Sequence, residues 1–190
     1  MEKDYIYPET YFVTDKEPTI ESITVMFLDK ANEELSARKT KIDKCGMSVH
    51  ELLSLASVVQ NESLFEEDIP KIAGVFYNRL KKDMPLQSDI TVLYALQEKR
   101  GNVTYADLEI DSPYNTYKYA GLPPAPINVP PKPCLEAVLN PDQHGYIYFC
   151  ARPAFDGTHR FAVGYSEHLK NAREFQRELT KRRKARKNNQ

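Results

Sequence analysis

Apolar residues recur at a spacing of three or four from Thr19 to Ala37, at Ile20, Ile23, Phe27, Ala31 and Leu35, which predicts a surface helix started by Pro18 and Thr19. A charged connector follows. Ser48 and Glu51 then form a capping-box pattern, and Val49, Leu52, Leu53, Ala56 and Val59 give the next helix a buried side that Leu55 and Val58 widen. A third helix is predicted from about Pro70 through "KIAGVFYNRLKK", with "EED" ahead of it at the positive end of its dipole. "SDITVLYALQEK" predicts another, capped by Ser88 or Asp89 and stopped by Gly101.

Beyond this helical core the texture changes. "DSPYNTYKYAGLPPAPINVPPKP" has no helical period and predicts a long loop ordered by its tyrosines. "PCLEAVLNP" reads as a short helix, "YIYFCA" and "HRFAVGY" as a hairpin across "FDGT", and "SEHLKNAREFQRELTKR" as a closing amphipathic helix.

The 190 residues are 41% hydrophobic and 28% charged, enough to bury a core in one domain or two small lobes. A net charge of -1 argues against nucleic acid as a partner, and the basic run "KRRKARKNNQ" reads as a solvated, flexible tail over 181–190. Cys45, Cys134 and Cys150 lack CxxC spacing, so neither a zinc site nor a closed disulfide framework is predicted. No signal peptide or uninterrupted apolar run of about 18 residues is present, although an anchor upstream of Met1 would be invisible.

In "VVQNESLF", Glu62 stands beside the Ser63 hydroxyl where a buried helix gives out. A carboxyl facing an apolar cleft has a raised pKa and suits general-acid chemistry; the bland alternative is a solvated or ion-paired helix-end glutamate. Glu66, Glu67, Asp68, Asp89 and Asp111 all have capping or turn explanations, so no second catalytic carboxylate stands out. Tyr114, Asn115, Tyr117 and Tyr119, with Gln87 and Asn78, offer aromatic faces and neutral hydrogen-bonding groups that fit a glycan better than a phosphate, or simply pack the loop. His159 is a possible further polar contributor, and Arg79 a structural ion-pair former. No metal-ligand spacing, GxSxG, phosphate loop or dinucleotide fingerprint occurs, and no metal or cofactor is predicted.

The series "YIYPETYFV", "LASVVQNES", "IAGVFYNRLKKDMPLQSDITVLYAL", "DSPYNTYKYAGLPPAPINVP", "AVLNPDQHGYIYFCA" and "DGTHRFAVGYSEHLKNAREF" resembles, in order, the YceG-like family, the endolytic murein transglycosylases of MltG type. The resemblance implies a bacterial lytic transglycosylase, anchored to the extracytoplasmic face of the membrane by a segment absent here, which cuts nascent peptidoglycan strands beside cell-wall synthases. A LysM-like lobe upstream is also implied and is lacking in this chain.

Glu62 matches the family's catalytic glutamate; Gln60 replaces an acidic residue of the pattern, and Ile90 a proline. Gln87, Ser88, Tyr114, Asn115, Tyr117 and His159 are the substrate-binding candidates. The expected fold is α+β, a mainly helical, lysozyme-like catalytic core with a small antiparallel element. The expected organisation is an N-terminal segment at 1–44 whose surface helix packs on the core, a catalytic domain at 45–180, and the tail. Rival readings are a hydrolytic muramidase, which would leave a reducing end, and a non-catalytic glycan-binding or scaffolding module. An aminodeoxychorismate lyase lacks any convincing pyridoxal-phosphate site.

Overall fold

A computed structural model describes residues 5–62, 65–98 and 103–188. Among them are seven α-helices, a short 3-10 turn and one two-stranded antiparallel sheet, the α+β architecture expected. Helix α1 (Ile20–Ala37) starts as predicted, the Thr19 hydroxyl accepting from the Ser22 N–H at 3.1 Å. The charged connector contains a further helix, α2 (Lys39–Cys45), which buries Ile42 and ends at Gly46 in the left-handed region, φ 74°.

Helix α3 (Val49–Glu62) is the axis of the core. Its capping box closes in both directions: the Ser48 N–H donates to Glu51 Oε2 at 2.8 Å, and the Glu51 N–H donates to Ser48 Oγ at 3.2 Å. Every residue from Leu52 to Val59 is buried, so this helix is covered on all sides, by α4 (Ile69–Leu80), α5 (Asp89–Leu96) and α6 (Lys132–Leu139). Ser57, buried on α3, binds the long loop instead of another helix: its hydroxyl accepts from the Ile127 N–H at 3.0 Å.

Tyr5 and Tyr7 bury on the same core. Arg38, between α1 and α2, reaches Glu34 and Glu136 at 2.7 Å each, tying the N-terminal helices to α6. The hairpin pairs β1 (Tyr148–Ala151) with β2 (His159–Ala162), Phe149 opposite Phe161, and Phe149 meets Phe76 of α4 edge-on at 5.9 Å. Helix α7 (Tyr165–Asn188) lies across both strands.

Three local expectations are corrected. Helix α5 ends at Gln97, left-handed with φ 56°, well before Gly101, which lies outside the described residues, as does Ser63. Ser88 occupies the N-cap position of α5 but makes no cap bond, its hydroxyl being spent elsewhere. Helix α7 runs through most of the basic stretch to Asn188, since Lys and Arg are good helix formers and nothing in "KRRKARK" breaks the ladder.

Candidate active site

Glu62 closes α3. As a residue it is half-buried, lining a cleft of about 320 Å³, while its carboxyl is enclosed by protein atoms. This desolvation pushes its pKa from 4.5 up to about 7. The Ser88 hydroxyl, which donates to Glu62 Oε1, opposes the rise; the nearby Asp89 carboxylate adds to it, and the Arg79 cation opposes it. With Oε1 accepting from Ser88, Oε2 is the oxygen left to carry a transferable proton.

Two buried threonines, Thr116 and Thr91, hold Ser88 there. Thr116, in the long loop, accepts the Gln87 N–H through its carbonyl at 3.0 Å and the Ser88 N–H through its hydroxyl at 3.1 Å, while its hydroxyl also meets that of Thr91 at 2.8 Å. This short zipper seats the loop against the start of α5. It also lets the Tyr117 hydroxyl donate to Asp89, both residues lining the cleft. Gln87, φ 50°, takes a left-handed conformation that a non-glycine residue adopts at a cost.

Arg79, only 7% exposed, secures that turn: its guanidinium donates to the Pro85 and Leu86 carbonyls at 3.0 and 2.9 Å, to Gln87 Oε1 at 3.3 Å and, through Nε, to the Ile147 carbonyl at 2.7 Å. Its cation lies 5.3 Å from the centre of the Tyr148 ring. Tyr148, Phe149, Tyr165 and His168 complete the facing wall.

The sequence-stated candidates thus separate. Gln87 and Tyr117 line the cleft, and Ser88 bonds the acid itself. Tyr114 lies elsewhere, its ring 4.8 Å from that of Tyr94 beside a different depression. Asn115 is fully buried, donating to the Leu108 and Ile110 carbonyls at 2.9 Å each and accepting the Tyr117 N–H at 3.0 Å, so it shapes the loop from within. His159 is outside the cleft lining: its backbone N–H donates to Asp68 Oδ2 at 2.8 Å and its Nδ1 lies 3.0 Å from the same oxygen. That contact also revises the capping explanation for Asp68, which sits at the α4 N-cap but binds the hairpin.

Asn78 is likewise structural, donating to the His144 and Tyr146 carbonyls at 2.8 and 2.9 Å. Gln60 is two residues from Glu62, hence on the opposite side of α3, and does not line the cleft. Its departure from the family pattern therefore leaves the cleft wall unchanged. Sequence reasoning missed Asp89, Arg79, Tyr148, Tyr165 and His168 as cleft residues. Only Asp89 carried a visible signal, its adjacency to Ser88. Among the described residues no His, Cys, Asp and Glu group is placed to hold a metal ion.

Residues 3–174 match the sequence profile of the YceG-like family. The chain belongs to the YceG-like family. It is 44% identical over 166 residues to the endolytic murein transglycosylase of Bacillus subtilis (strain 168), covering 87% of this chain and 46% of that protein. It is 38% identical over 175 residues to the endolytic murein transglycosylase of Streptococcus pneumoniae serotype 2 (strain D39), covering 90% of this chain and 31% of that one. A crystal structure of a yceG-like protein from Listeria monocytogenes superposes with a TM-score of 0.80 at 42% identity, over 87% of this chain and 54% of the other. The chain spans less than half the length of these curated relatives, and the shared part of the family contains Glu62 and its cleft.

Proposed function

We propose that this chain is the catalytic part of an endolytic peptidoglycan lytic transglycosylase, with Glu62 as acid and then base. The observation that carries the reading is a glutamic acid enclosed by protein, with its pKa raised to about 7, at the wall of an open cleft. The names of the family relatives support the same substrate class. Glu62 Oε2–H protonates the glycosidic oxygen between N-acetylmuramic acid and N-acetylglucosamine as the bond to the muramic C1 breaks. The resulting carboxylate takes the proton of the C6 hydroxyl, whose oxygen closes on C1 to give a 1,6-anhydro end. Atoms balance without water.

In this reading the setting is the extracytoplasmic face of the bacterial membrane, with cell-wall synthases as neighbours. No helix among the described residues is long and apolar enough to cross a membrane.

The proposal is tested by mass spectrometry of purified glycan strands after incubation with the chain. Anhydro-ended fragments support it, and intact strands count against it and for a binding module. One observation favours a second reading. Asp89 brings another carboxylate into the cleft, which is the equipment of a hydrolytic muramidase, and products with hydrated reducing ends would establish that reading instead.

Ser88→Ala gives a separate check on the acid. Removing a donor that favours the ionised carboxylate raises the Glu62 pKa further, so the fall in kcat/KM at alkaline pH should move upward. The lost orientation should lower kcat roughly 2- to 10-fold, the worth of one hydrogen bond. A pH–rate profile that does not move would separate Ser88 from the acid.

A further inference from the structure

We propose that Tyr165 and His168, backed by Tyr148, form a sugar-stacking subsite on the wall facing Glu62, where the apolar face of an N-acetylated hexose lies on the exposed Tyr165 ring and a His168 ring nitrogen bonds one of its polar groups. The proposal rests on the glycan reading of the cleft and specifies which wall holds the sugar.

The three rings form one cluster. Tyr148 and His168 stack with centroids 5.1 Å apart and planes 20° apart, Tyr165 is 5.8 Å from Tyr148, and Tyr165 and His168 are 6.3 Å apart. Tyr165 and His168, three apart in the first turn of α7, project together from one helix face. Tyr165 remains 60% exposed, so its ring offers apolar surface at the rim of the cleft that the fold does not use.

His168 supplies an independent observation. Its Nδ1 is buried and has no hydrogen-bond partner among the described residues, a condition that native structures rarely tolerate without a reason. Burial lowers the His168 pKa, and the Arg79 cation lowers it further, so the ring is neutral at neutral pH and one of its nitrogens accepts while the other donates. A sugar fits both features: pyranose C–H groups suit the negative faces of aromatic rings, while hydroxyl and N-acetyl groups supply donors and acceptors. The opposite wall carries Glu62 and Asp89, which disfavours phosphorylated planar ligands that could also stack.

The chain contains no tryptophan, so Tyr165→Trp in a Glu62→Gln background places a single fluorophore on this wall. Titration with N-acetylglucosamine oligomers and with purified glycan strands should give a saturable change in its emission. In the otherwise native chain, Tyr165→Ala should raise KM about tenfold, the worth of one aromatic contact, with little change in kcat. His168→Phe keeps the stack, removes the nitrogen and should weaken binding in the same direction. Unchanged KM in Tyr165→Ala, or a silent tryptophan while the native chain still cleaves glycan, overturns the subsite and leaves the catalytic reading intact. A responding tryptophan with no cleavage by the native chain supports the subsite and removes the catalytic reading.

Discussion

Glu62→Gln should reduce glycan cleavage by about 10²- to 10⁴-fold in kcat, the range typical of a lost general acid–base group, while leaving the fold and glycan binding in place. Glutamine keeps an oxygen to accept the Ser88 hydroxyl and occupies nearly the same volume, so α3 and the turn at Ser88 have no steric reason to move. What disappears is the proton. Counting anhydro or reducing ends over time checks this, with circular dichroism to verify folding. Turnover within about tenfold of wild type would exclude Glu62 as the acid, and Asp89, the other carboxylate of the cleft, would take its place as the residue to replace.

The same substitution should stabilise the protein at alkaline pH. Folding raises the Glu62 pKa from 4.5 to about 7, so between these values the folded chain holds a proton that the unfolded chain has released. Stability therefore falls as pH rises through this window and is flat beyond it, with a total loss of up to about 3 kcal/mol. Glutamine does not titrate. Near pH 4 the two proteins should unfold alike; at pH 8 the variant should melt about 6–12 °C higher, as expected for a chain of this size. Glu34, whose pKa hydrogen bonds from Lys30 and Arg38 pull down to about 2, titrates equally in both proteins and drops out of the difference. Equal melting temperatures at pH 8 would mean that Glu62 ionises as freely in the folded state as in the unfolded one, removing the basis for its role as an acid near neutral pH.

What was legible in the sequence was local. The Thr19 cap and the Ser48–Glu51 box act over three residues, and the apolar spacing of α3 and α4 reports directly on burial. Helix α2 escaped because one buried residue, Ile42, gives no period to detect. Of the residues singled out in the sequence, Glu62, Gln87 and Ser88, through the family pattern, and Tyr117, through the composition of its loop, are the ones that meet at the cleft. The internal wiring of the site was not legible: Ser88 meets Glu62 across 26 positions, and His159 meets Asp68 across 91. Short polar residues near helix starts look like caps in a sequence, and only the folded chain reveals that Ser88 and Asp68 serve distant partners instead. The tyrosine-rich loop misled for a related reason. Residues close together in sequence turn in different directions, Asn115 inward, Tyr117 to the cleft and Tyr114 away from it.

Arg79 spans the floor of the cleft. Its Nε holds the carbonyl that leads into the hairpin, and its terminal nitrogen holds the carbonyls leading to Ser88, so the two walls are fastened across one planar guanidinium. Such a cross-tie sets the gauge of the slot. A strand entering it meets walls held at a constant separation, and any adjustment to the width of a sugar falls to the side chains that face inward.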